Sequence, residues 1–270
     1  RTLLQGFVKL FPFSIALVWI PGGIIGDYNN LKGLQQEILK ILKVRFCIIR
    51  LRFHQSYNIA FEIELLKNNW SRPIFSLSSN LKVFLNLNSI NILKGKFSRS
   101  WNRSLKKSYK SNLRIIEIKS PNIISEIYKE MKANKGLRQN DIYSEKQCKS
   151  IMNAYRKDLL IFGAKDKFNK VCAIRGVIVR NNKLNDIFAA TNAFGRLSCA
   201  SHLILYKIFE KGIDLGCIEY DLSNVDPSKS LGVYNFKKGT GGEIINTLGE
   251  FEWTNSIVLK LLMNFYSKFK

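Results

Sequence analysis

Apolar positions along this chain alternate between two rhythms, continuous or every-second runs and three-to-four-residue spacing, and these set out the predicted elements. Residues 14–20, apolar from Ile15 to Ile20 and cut off by Pro21-Gly22-Gly23, read as a buried strand. After Asp27-Tyr28-Asn29-Asn30, Leu31, Leu34, Ile38 and Leu42 recur at helical spacing up to about Val44. Residues 46–53 and 83–87 read as strands. Residues 90–112 predict one two-sided helix. Phe97, Trp101, Leu105 and Tyr109 make its apolar face, while Arg99, Arg103, Lys106 and Lys110, with Lys107 beside them, make a basic stripe on another. Helices follow at 123–134 and 144–156. Three strands, 159–164, 171–180 and 184–190, are joined by hairpin turns at Asp166-Lys167-Phe168-Asn169 and Asn181-Asn182-Lys183. A helix at 198–211 ends at Gly212. Strands at 217–222, 244–248 and 251–253 precede a final amphipathic helix, 255–269, with Ile257, Leu261, Phe265 and Phe269 on one face.

From the connecting helix onward the order is helix, strand, two helices, three antiparallel strands, helix, strand, helical turn and strand. That order is α+β with a mixed, mostly antiparallel sheet. A boundary near residue 80 gives two domains, 1–80 and 81–270, the second including the connecting helix. The 270 residues suffice for two cores. The piece over 14–53 looks like the latter part of a similar unit, so weak internal duplication is expected. Because strand-like sequence begins almost at Arg1, part of the first domain is expected to be missing at the N-terminus.

The net charge of +23 favours anionic partners: nucleic acid, an acidic membrane surface or a phosphorylated substrate. Codon bias toward Lys, Asn and Ile is the other source of such an excess. The basic stripe is accordingly either a solvated helix face or a docking surface for phosphates. Cys47, Cys148, Cys172, Cys199 and Cys217 are odd in number, widely spaced and never in a CxxC pair, which points to a reducing compartment and away from disulfides or zinc. With only His54 and His202 present, no metal site is expected. Cys199 and His202 stand three apart at a helix start and read as packed helix residues rather than as nucleophile and base. The apolar run 13–20 is too short to span a bilayer.

Chemistry concentrates in the last third. Thr191, Asn192, Tyr220, Asp221, Asp226, Tyr234, Phe236, Lys237 and Glu243 arrive in short polar, glycine-rich clusters at the ends of apolar segments, where functional groups usually sit. Composition alone makes Lys237, beside Lys238, an ordinary solvated lysine, and neither is expected in a core. Gly239-Thr240-Gly241-Gly242 is a tight turn or a phosphate cradle. Asp226, before Pro227, is a turn residue.

Three stretches carry a resemblance: Trp19-Ile20-Pro21-Gly22-Gly23-Ile24-Ile25-Gly26-Asp27-Tyr28, the Trp101/Arg103/Leu105/Lys106 helix, and above all Tyr220-Asp221-Leu222-Ser223-Asn224-Val225-Asp226-Pro227 followed by Gly232-Val233-Tyr234-Asn235-Phe236-Lys237-Lys238-Gly239-Thr240-Gly241-Gly242. The chain resembles the Fem family of cell-wall transferases, built from two domains of the GCN5-related N-acyltransferase type. Gly22 and Ile24 depart from an arginine and second proline usual there, and Thr240 replaces an aromatic. There is no room after Gly136 for the long helical arm of some members.

The resemblance implies transfer of an aminoacyl or acyl group to an amine of a nucleotide- or lipid-linked envelope precursor of peptidoglycan or polysaccharide. Aminoacyl-tRNA is the implied donor and acyl-CoA the alternative, with no resident cofactor. Lys237 is implied to stabilise the tetrahedral oxyanion, with Phe236 shaping the pocket. Asp27 and Arg138 are implied to hold the acceptor; Asp27 is equally suited to cap the following helix. Thr191, Asn192 and Tyr234 join the substrate-binding set. Tyr220 and Asp221 either position substrate or brace the Lys237 loop. Arg99, Arg103, Lys106 and Lys110 are the candidate contacts to tRNA or phosphate. The protein is expected to be a cytoplasmic monomer working at the inner membrane face. The rival readings are a non-catalytic nucleic-acid-binding protein of the same fold and a peripheral membrane scaffold using the last helix.

Overall fold

The computed structural model describes residues 2–26, 31, 33–135 and 142–268. Along the chain come β1 (Thr2–Leu4), β2 (Phe7–Phe11), β3 (Ile15–Ile20), β4 (Ile24–Gly26), α1 (Leu34–Leu42), β5 (Phe46–Ser56), α2 (Ile59–Lys67) and β6 (Leu81–Asn86). Then follow α3 (Ile90–Lys96), α4 (Arg99–Lys110), β7 (Arg114–Glu117), α5 (Pro121–Lys135), α6 (Glu145–Tyr155), β8 (Leu159–Lys165), β9 (Val171–Arg180) and β10 (Lys183–Thr191). The chain closes with α7 (Ala193–Leu197), α8 (Ala200–Asp214), β11 (Glu219–Val225), α9 (Leu231–Lys238), β12 (Glu243–Thr254) and α10 (Ile257–Lys268). Contacts divide it into two units, Arg1–Lys82 with Ile245–Lys270, and Val83–Ile244.

In the first unit the sheet order is β2-β3-β5-β12. β3 runs parallel to β5, from Ile15↔Phe46 to Ile20↔Leu51, and β2 pairs antiparallel to β3. Both faces of β5 are covered. Cys47, Ile49, Leu51 and Phe53 enter an apolar core with Val18, Ile20, Trp70, Leu248 and Phe251, on which Leu34, Ile38 and Leu42 of α1 pack. Arg50 and Arg52 point the other way and are also buried. Arg50 bonds Glu252 at 2.8 Å and the Phe75 carbonyl, Arg52 the Ser79 carbonyl, and Glu250 accepts from the Leu77 and Ser78 amides. Buried charges hold their place only when paired in this way, and here they latch the segment 71–80.

The two short strands expected at 244–248 and 251–253 are one strand, β12, bulged between Thr247 and Gly249. The boundary near residue 80 puts them in the second domain. They fold into the first unit because β12 pairs antiparallel with β5 from Thr247↔Ser56 to Thr254↔Ile48. Gly249 takes φ +78°, and a Cβ there would meet the Asn80 amide, so glycine is required at the bulge.

The second unit has the order β6-β11-β10-β9-β8-β7, antiparallel from β7 to β10 and parallel between β10 and β11. Both expected hairpins form. Asn181 and Asn182 each take positive φ in a two-residue turn, and Asp166 accepts the Phe168 and Lys170 amides. Both sheets are mixed and mostly antiparallel, which makes the fold α+β.

The single helix expected over 90–112 is two. Phe97 is extended, and Ser98 caps α4 by accepting the Trp101 amide at 3.2 Å. A serine at this position favours a helix start over helix continuation. Tyr109, expected on the apolar face, is 54% exposed, because at 100° per residue it lies to one side of Trp101 and Leu105. The helical turn expected between the strands that follow α8 is helix α9, which carries Phe236 and Lys237 and closes in a turn through Gly239 and Thr240. Thr240 donates to the Lys237 carbonyl at 2.6 Å, so Gly239–Gly242 is a turn.

Trp101 is 2% exposed, with its ring 4.2 Å from Phe97, 5.2 Å from His202 and 6.4 Å from Phe236. Trp101→Ala is expected to cost roughly 3–5 kcal/mol. Urea denaturation measures this, and a variant of wild-type stability would mean that the ring is dispensable to the core.

Candidate active site

β10 and β11 pair over Lys183–Asn185 and Glu219–Asp221, and each strand runs on beyond that ladder, to Thr191 and Val225. β10 bulges between Asp186 and Phe188. A cavity of about 530 Å³ is lined by Arg175 of β9, by Asp186, Ala190 and Thr191 of β10, by His202 of α8, and by Val233, Phe236 and Lys237 of α9.

Lys237 is 8% exposed, contrary to expectation. Its Nζ donates to the Asn224 carbonyl at 3.0 Å. Burial pushes the ammonium down to about 8, assisted by Arg175 and opposed by Asp186 and Asp221. Lysine is thus a cation at neutral pH, fixed by one carbonyl and held in a wall with Phe236. Lys238 is exposed, with its Nζ 5.5 Å from the Tyr234 ring centre.

The sequence reading missed the other half of the site. Arg175 Nε and Nη2 donate to Asp186 Oδ1 and Oδ2 at 2.9 and 2.5 Å, and the Tyr220 hydroxyl donates to Oδ1 at 2.9 Å. Burial works against the Arg175 charge, but Asp186 outweighs it and holds the guanidinium above its ordinary range. Its Cζ lies 5.4 Å from the Phe236 ring centre, which ties the pair to the wall that carries Lys237. The signal was present in sequence: an arginine inside Val171-Cys172-Ala173-Ile174-Arg175 and an aspartate inside Leu184-Asn185-Asp186-Ile187-Phe188 are charges in strands too apolar to leave them in water.

His202 also lines the cavity, edge-on to Phe236 at 4.9 Å. Burial pushes its imidazole down to about 4, and the Arg175 charge acts in the same direction. The unfolded chain therefore takes up a proton before the folded one as pH falls. Stability from this group is full above about 6.5 and is lost progressively toward pH 4, by on the order of 3 kcal/mol. Denaturation of wild type and His202→Gln at pH 7, 5.5 and 4.5 reads this. Equal pH dependence in both proteins would exclude His202 as the source.

The other sequence candidates are spread out. Thr191 lines the cavity with Phe236 and Lys237. Asn192 instead caps α7, accepting the Gly195 amide at 2.8 Å and donating to Glu130 at 2.7 Å. Tyr220 is fully buried beneath the Arg175–Asp186 pair, and burial, then Asp186, holds its hydroxyl well above the usual range. Asp221 accepts the Ser223 amide at 2.7 Å. Asp226 accepts from Ser228 and Lys229, a turn contact. Arg99, Arg103, Lys106 and Lys110 are exposed on α4. Asp27 and Arg138 lie outside the described residues.

A smaller cavity of about 300 Å³ lies in the first unit beside the start of α10; its charged groups are held, Glu252 by Arg50 and Lys260 by Ser71. Among the described residues no helix is long and apolar enough to cross a membrane.

No protein-family model matches the sequence. No curated protein sequence matches it either. Solved structures do. FemX aligns at 14% identity and TM-score 0.77 over 98% of this chain and 87% of its own. The C-terminal domain of a putative lysylphosphatidylglycerol synthetase from Agrobacterium fabrum aligns at 9% identity and TM-score 0.61, over 97% of this chain and 83% of its own. A tandem GNAT protein from the clavulanic acid biosynthesis pathway aligns at 10% identity and TM-score 0.55, over 93% and 79%. This chain has the Fem-like fold, a tandem of units of the GCN5-related N-acyltransferase type.

Proposed function

We propose that this chain is an acyl-transfer enzyme that moves an aminoacyl group from aminoacyl-tRNA onto an amine of a cell-envelope precursor. The observation that carries this reading is Lys237, a buried ammonium anchored at one carbonyl in the wall of the cavity that Arg175, Asp186 and Thr191 also line. The neutral amine attacks the ester carbonyl carbon, the new C–N bond forms, and negative charge develops on the carbonyl oxygen. A fixed cation beside that oxygen lowers the barrier because its field is already oriented in a poorly hydrated site. As the ester C–O bond breaks, the amine proton ends on the leaving oxygen. Phe236 keeps water from the reacting carbonyl, and the Arg175–Asp186 pair holds the Phe236 wall in place. Thr191 offers a hydroxyl to substrate across the cavity.

FemX and the lysylphosphatidylglycerol synthetase domain support this reading through their shared fold, and the synthetase's name connects that fold to a lipid carrying an amino acid. The acceptor is accordingly nucleotide- or lipid-linked, and work at the cytoplasmic face of the membrane follows from such an acceptor. The test is a transfer assay: charged tRNA and acyl-CoA pools are offered separately against envelope precursors, and amide formation is read by mass spectrometry. Product from charged tRNA is expected. Product from acyl-CoA alone would change the donor, and product from neither would overturn the reading.

A further inference from the structure

Between Glu64 and Glu117 the chain carries no acidic residue. α4 lies within that stretch. At about 100° per residue, Arg99, Arg103, Lys106 and Lys110 fall within an arc of about 60° and form a track about 16 Å long. All four are exposed, and Lys107 adjoins them. On neighbouring α8, the acidic Glu210 is engaged by Lys207 at 2.6 Å. The opposite face of the same helix carries Trp101, whose ring packs on His202 and Phe236, two residues that line the cavity. The Ser98 amide donates to the Gly239 carbonyl at 2.8 Å, joining the start of α4 to the end of α9. α4 thus packs behind the His202 and Phe236 side of the cavity, with its cations on the face turned away from it.

We propose that the outer face of α4 is the docking track for the phosphate backbone of an RNA, holding its helical stem there while an unpaired 3′ end carrying the acyl ester reaches the cavity. The identity of the RNA as acyl donor rests on the function proposed above; the track itself rests on charge and geometry. Aligned cations that face solvent displace counterions from a phosphate backbone, and this makes binding fall steeply with salt.

The test compares two fourfold variants that remove equal charge. One carries Arg99→Gln, Arg103→Gln, Lys106→Gln and Lys110→Gln. The other carries Lys129→Gln, Lys146→Gln, Lys149→Gln and Lys157→Gln, all exposed elsewhere in the same unit. The probe is an RNA hairpin with a single-stranded 3′ tail, followed by fluorescence anisotropy from 50 to 200 mM salt. The track variant is expected to lose affinity roughly tenfold or more at low salt and to show a flatter salt slope, while the control loses far less. Equal loss in both variants, or none in the track variant, overturns the proposal. So does loss confined to phosphatidylglycerol vesicles with RNA binding intact, which would make the stripe a membrane contact. A 3′-aminoacylated adenosine carries no phosphate for the track, so its use as donor should survive in the track variant; loss of that activity as large as the loss with charged tRNA also overturns it. If charged tRNA gives no product with the wild type while RNA binding still depends on the track, the donor reading falls and the docking surface stands.

Discussion

Lys237→Ala is expected to lower turnover by about a hundredfold or more, the range for loss of one oxyanion donor. Binding of the ground state should change less, because the charge that Lys237 answers develops only in the transition state. Lys238→Ala is the internal control: it removes the same charge one residue away, from an exposed side chain over Tyr234. The pH profile adds a second reading. With its pKa pushed down to about 8, Lys237 is protonated below that pH and loses its charge above it, so a cationic role predicts activity that falls as pH rises through about 8. A rate that climbs through the same window would mark Lys237 as a base. Equal losses in the two alanine variants, or a raised KM with intact kcat, would make Lys237 a binding cation in a basic cleft.

Asp186→Ala should be among the most destabilising single changes in the second unit. It leaves Arg175, 4% exposed, as a buried charge without its carboxylate, at a cost of about 3–5 kcal/mol. Arg175→Met combined with Asp186→Leu replaces the pair with apolar groups and should recover most of that loss, since a sealed ion pair is worth little more than good packing. Chemical denaturation of the two single variants and the double variant measures the coupling. Additive effects would show that the two side chains are independent. Activity should remain low in the double variant even where stability returns, because Phe236 loses the guanidinium beneath it.

Local chemistry was what the sequence could express. Asn181-Asn182 announced its hairpin, because few other residues accept positive φ twice in succession. Ser98 and Asn192 are caps whose signals were present but were read as parts of a longer helix and of a binding cluster. The Phe236-Lys237 segment showed only as a helical turn because a helix of 8 residues is too short to display a full helical period. The Arg175–Asp186 pair was within reach. The two-residue turn sets Asp186 opposite Val177, and residues 175 and 177 share a face of β9. Nothing local marked the union of β12 with β5, since roughly two hundred positions separate strands whose match is made only in the folded sheet. Asp27 and Arg138, implied by resemblance alone, remain proposals for acceptor binding.

That union has a consequence for synthesis. The first unit is not finished when residues 1–82 leave the ribosome, because one border of β5 stays open until β12 has been translated. Val83–Ile244 is continuous and can fold in the interval. The nascent protein therefore carries an unpaired β5, with Cys47, Ile49, Leu51 and Phe53 short of their final cover, for the whole time the second unit is being made. A stop codon near residue 244 would remove a partner strand of the first core, and chaperone demand should fall on the earlier half of the protein although the missing piece is the later one.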